Sequence, residues 1–192
     1  MLLSFLALSF TWAVAMGIAL CVAVVMLLLH RTRLGSLVHE NIRDRPRRRL
    51  LLASIGFFLT FACVRLLTWS IHNDIGPFHN IEVGGRHIHH LVWGITLLIA
   101  VGFGWLVELG TGSSDSSIFA SRLMSLLYGT GAALTLDEFA LWLNLRDVYW
   151  SRQGRASVEV ALMFGSLLAI GAFGAPLFAV LTRQKRETSR KT

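Results

Sequence analysis

Two stretches carry the groups that could do chemistry. GGRHIHHLVWGI at 84–95 gathers His87, His89 and His90, and LTLDEFALWL at 134–143 sets Asp137 beside Glu138. His87 and His89 share a face if the backbone is extended, and His87 and His90 share one if it is helical, so either geometry brings two imidazoles together. Imidazoles with a carboxylate form a borderline-soft nitrogen and oxygen set that suits Zn²⁺ or Fe²⁺. His87, His89, His90 and Asp137 are therefore the candidate ligands of a divalent metal. Glu138 or Asp137 is the candidate catalytic base, taking a proton from a polarised water. A carboxylate that does not bind the metal could instead orient a ligating imidazole. The spacing matches no zinc signature such as HExxH. A competing account needs no metal: Arg65 neutralises Asp137, and the imidazoles hydrogen-bond to carboxylates and lipid headgroups.

These residues need a scaffold that joins two distant segments, and composition says which solvent surrounds it. A chain of 192 residues that is 54% hydrophobic and 15% charged carries more apolar surface than one aqueous core hides, so lipid is the natural solvent. The net charge of +7 could speak for nucleic acid, but the cations concentrate in two segments flanking apolar spans. That is the pattern of topology determinants and anionic-lipid contacts, so membrane lipids and no nucleic acid are the expected partners. Cys21 and Cys63 fall inside apolar spans, which indicates neither a disulfide scaffold nor a CxxC redox pair.

Spans are expected at about 2–29, 50–71, 89–109, 118–136 and 158–181. The first is too long for a signal-peptide core and lacks its cationic leader. Residues 31–49 hold Arg31, Arg33, Arg43, Arg45, Arg47, Arg48 and Arg49 against Glu40 and Asp44, and the tail 182–192 is also basic. The positive-inside rule places both in the cytosol. The expected fold is thus all-α: a polytopic membrane helical bundle of about five transmembrane helices, one domain over 1–192, N-terminus outside and C-terminus cytosolic. Residues 139–150 read as an interfacial segment that could wall a lateral entry for an acyl chain. Trp69, Trp93, Trp142, Tyr149 and Trp150 fall near the outer boundary under this topology. Ala161 with Gly165, Gly171 with Ala175, and Gly129, Ala132 and Ala133 mark close helix approaches, and Pro176 predicts a kink. Glu108 and Arg122 are expected to pair across the short inner linker at 110–117.

Depth can be read along the fourth span. Asp137 lies 15 residues past Arg122, or ~22 Å at about 1.5 Å per residue. With Arg122 at the inner boundary of a hydrocarbon core about 30 Å thick, Asp137 sits below the outer surface and needs a partner. Adjacent helical residues diverge by about 100°, so one carboxylate is expected to point into the bundle. Asp137 is the expected inner member, with Glu138 nearer the interface.

The pair HIHHLVWGI and GTGAALTLDEFALWLNLRDVYW resembles a family of bacterial, mainly actinobacterial, polytopic integral membrane proteins. The likeness covers about residues 60–160 and implies a shared bundle in a bacterial inner membrane rather than an activity. The pairing of histidines with an acid is similar to that in membrane hydrolases of the alkaline-ceramidase and adiponectin-receptor type. Those have seven helices, a serine-containing motif and a late HxxxH, which this chain lacks. The leading expectation is a metal-binding membrane protein, a metal-dependent hydrolase of a lipid or lipid-linked substrate at the outer leaflet. An ion or proton transporter or channel is one alternative, against which the inner half offers no polar layer beyond Glu108 and Arg122. A non-catalytic membrane assembly partner is the other. Oligomeric state is not fixed by the sequence.

Overall fold

The structure is a computed structural model that describes residues 17, 19–33, 35, 38, 42, 44–75, 82, 83, 86, 87, 89–146 and 148–189; for 82, 83, 86, 87 and 175–189 it describes the backbone alone. The described chain is helical apart from one short strand pairing. Helix α1 is Ala19–Arg31, followed by α2 (Arg45–His72), α3 (Leu91–Leu106), α4 (Asp115–Asp137), α5 (Phe139–Asn144), a single 3-10 turn at Arg152–Gly154, and α6 (Arg155–Ser189). Between α2 and α3, β1 (Glu82–Val83) pairs antiparallel with β2 (Arg86–His87), setting Glu82 opposite His87.

Local chemistry explains the boundaries that differ from expectation. Pro46 stands in the first turn of α2, where its missing N–H costs nothing, so the helix starts inside the basic stretch and carries Arg47, Arg48 and Arg49. Ser114 accepts a bond from the Ser117 amide and Asp115 sits in the first turn, which starts α4 three residues before the expected 118. Helix α3 stops at Leu106 rather than 109 because Glu108 (φ 57°) and Gly110 (φ 74°) adopt left-handed turns. Only Phe139–Asn144 of the expected interfacial segment is helical; Leu145 turns left-handed at φ 52° and ends it. Helix α6 runs on through Pro176 and most of the basic tail. The first expected span is described from 17 onward, and its earlier part lies outside the described residues.

Helix α4 is the centre, with α2 and α3 packed closely along it and α6 against α2 and α4. Phe57 fills the junction with Ala53, Ala132, Ala133, Ala161 and Leu168, and Met26 and Leu29 seat α1 against Leu52 and Leu126. Apolar side chains fill the core, yet polar groups are buried beside them and large apolar ones stand on the surface. Asp137, Glu138, Ser125, Thr130 and Ser157 are buried, while Leu66, Ile99, Phe103, Leu143, Met163, Leu167 and Phe173 stand exposed. Two segments, Arg45–His72 and Arg152–Gly174, are long and apolar enough to cross a membrane.

Candidate functional site

A close helix contact brings the two chemical segments together. A Cβ on Gly94 would lie 2.7 Å from the Thr135 amide nitrogen and 2.8 Å from the Gly131 carbonyl oxygen, so only glycine lets α3 press onto α4 here. His89 and His90 lead directly into α3, and Asp137 and Glu138 close α4, so this approach places both pairs at one end of the bundle.

Asp137 is fully buried and meets three partners from three different parts of the chain. Arg65 Nε of α2 lies 2.5 Å from its Oδ1. His90 Nε2 stands 3.1 Å from Oδ2, and the Tyr149 hydroxyl donates to Oδ2 at 2.9 Å. The guanidinium also stacks over the Tyr149 ring, 4.5 Å from its centroid. The Arg65–Asp137 approach is close but not aligned as a hydrogen bond, and Arg65 Nη2 is buried without a hydrogen-bond partner among the described residues.

Glu138 departs from the expected geometry. Both carboxylates are buried, at 0% and 6% exposure, rather than only one facing inward. The helix ends at Asp137, and Glu138 occupies a turn (φ −106°, ψ 22°), so the 100° divergence of consecutive helical residues does not apply to it. Its Oε1 meets His89 Nδ1 at 2.8 Å, and its Oε2 accepts the Leu91 amide at 3.0 Å. Glu138 thus caps the N-terminus of α3, where orphan amides and the helix dipole favour a negative charge. His90 Nδ1 is a further 3.5 Å from Oε1.

Behind this cluster, Tyr149 also bonds the Thr68 hydroxyl at 2.9 Å, and the Ser157 Oγ accepts the Ala140 amide at 2.9 Å, fixing α5 to α6. Burial above all, then the Asp137 charge, pushes the Tyr149 phenol up from its ordinary range, so it stays a protonated donor. A cavity of about 10 Å³, the room one water needs, is lined by His89, Glu138, Ala140, Leu141, Tyr149 and Ser157.

His89, His90, Asp137 and Glu138 therefore converge, whereas the side chain of His87 lies outside the described residues. His72, at the end of α2, stacks on Trp150 with ring centroids 4.1 Å apart. Tyr149, Thr68 and Ser157 carried no chemical signal in the sequence. Tyr149 reads there as an interfacial aromatic, and only the turn after Leu145 returns it to Asp137. Arg122 does not meet Glu108 in any described ion pair; it turns toward α1, onto the carbonyls of Leu29 and Gly35.

As a metal ligand Asp137 fits poorly, because a guanidinium already occupies the position a cation would take against Oδ1. Among the described residues no group of three His, Cys, Asp or Glu side chains is arranged to hold an ion. Both carboxylates orient imidazoles instead. No protein-family model, curated protein or solved structure matches the chain, so the reading of the site rests on its own geometry.

Proposed function

We propose that the chain is a multi-pass membrane protein, N-terminus outside and C-terminus cytosolic, whose buried His–carboxylate cluster hydrolyses an ester in a lipid or lipid-linked substrate at the outer leaflet. The observation that carries this reading is the pair of carboxylate-held imidazoles at the polar end of an apolar-surfaced bundle. A carboxylate that accepts Nδ1–H fixes the imidazole tautomer whose basic nitrogen is Nε2. His89, held in this way by Glu138, is the general base: a water in the adjoining cavity gives its proton to Nε2 as its oxygen bonds to the ester centre. The leaving alkoxide then recovers that proton as the ester bond breaks. Arg65 stands behind that cavity, where its guanidinium neutralises the buried Asp137. Asp137, His90 and Tyr149 hold Arg65 in place.

The test is hydrolysis of radiolabelled outer-leaflet lipids by the full chain in proteoliposomes. His89→Gln should lower turnover by about 100-fold or more, the usual scale for a general base. Wild-type turnover in both His89→Gln and Glu138→Gln would sink the proposal. A proton-transport reading is favoured by one observation: buried hydroxyls continue along α4 below the cluster, with Thr60 bonding Thr130 at 3.1 Å and Ser125 fully buried. A pH-sensitive dye inside the same vesicles separates the two, since transport acidifies the lumen without product release.

A further inference from the structure

The opposite end of α4 carries a second charged cleft that the proposed function does not use. Arg45, Arg48 and Arg49 from the start of α2 line it with Arg122 and Ser121 of α4. Arg49 bonds Ser121 Oγ through Nε and the Gly110 carbonyl through Nη2, each at 3.0 Å. Arg45 reaches the carbonyls of Thr111 and of Gly112, the latter at 2.9 Å, so both residues pin the α3–α4 linker beside the cleft. Arg122 is more loosely held. Its contacts with Leu29 and Gly35, at 3.4 and 3.5 Å, exceed the ordinary N–H···O length.

Carbonyl oxygens satisfy donors without cancelling charge. Among the described residues no carboxylate forms an ion pair with Arg45, Arg49 or Arg122. Arg45, Arg49 and Arg122 bring like charge to one cleft beside Arg48, whose charge Asp44 partly offsets, and an anion among the three relieves their repulsion. Their planar forks match the tetrahedral oxygens of phosphate, and the Ser121 hydroxyl adds a neutral donor. We propose that this cleft binds a phosphate group, carried either on a lipid headgroup or as a free phosphate. The site stands independently of the hydrolase reading.

The test uses the full chain in nanodiscs of phosphatidylcholine, with phosphatidic acid, inorganic phosphate or oleate added in separate arms, read by thermal unfolding and native mass spectrometry. Stabilisation by phosphatidic acid alone assigns the phosphate to a headgroup, and stabilisation by inorganic phosphate assigns it to a soluble source; either supports the site. Arg122→Gln should weaken binding about fivefold, the equivalent of about 1 kcal/mol per arginine at an anionic surface. Arg122→Lys, which keeps the charge and most of the packing, should lose less, and Arg155→Gln at the far end should lose nothing. Oleate binding as tightly as phosphatidic acid would reduce the cleft to a nonspecific anion attractor and overturn the proposal. So would wild-type phosphate affinity in Arg122→Gln, and should that variant fail to fold, the comparison of lipids on the wild-type chain still decides.

Discussion

Asp137 has no exposure and one strong cation, which makes Arg65 the residue whose loss matters most. Arg65→Ala strands a buried carboxylate, and a loss of about 3–5 kcal/mol in unfolding free energy is expected. Adding Asp137→Asn should restore most of it, because the pair is then removed rather than broken; failure of that rescue, measured by thermal unfolding in detergent, would mean the two residues are not coupled. Tyr149 yields a pH-dependent signature. Burial and the nearby carboxylate both disfavour its phenolate, so in Tyr128→Phe protein, where Tyr149 is the only tyrosine, ultraviolet absorbance should show no ionisation near the ordinary value of about 10. Ionisation there would place the ring in water, away from Asp137.

At the scale of elements, the site depends on how closely α3 and α4 approach. Gly94→Ala puts a methyl within 2.7 Å of the Thr135 backbone and should cost about 1–3 kcal/mol by overpacking. Gly94→Val should cost more and should also weaken the two His–carboxylate contacts, which imidazole NMR shifts would report. The sequence showed that histidines of one segment and acids of another belong together, because two dense polar clusters in apolar surroundings have few other partners. It showed the competing Arg65 as well. It could not show that α4 stops at Asp137, because a single residue's turn geometry decides whether Glu138 faces away or caps α3. Nor could it show Tyr149: a contact across a loop that reverses at Leu145 leaves no periodicity to read. His87 was singled out equally with its neighbours, and its side chain lies outside the described residues.

For the whole molecule, two described helices long and apolar enough to cross a membrane, with large apolar side chains exposed around them, agree with the apolar composition. Crossing number and orientation are tested directly. Reporter fusions after Arg49 and after Thr192 should report the cytosolic side, and one at Gly76 the opposite side; Gly76 and Arg49 on the same side would mean that α2 does not cross. The order of the helices along the chain has a further consequence for biogenesis. Arg65, His89 and His90 all precede Asp137 and Glu138, so a ribosome delivers these three partners before either acid is synthesised, and Tyr149 after them. On the proposed topology Asp137 and Glu138 then arrive beside groups ready to receive them, whereas Arg65 must wait through the making of α3 for Asp137. The stretch of synthesis between Leu106 and Asp137 is thus the interval in which Arg65 has yet to meet the acid that neutralises it.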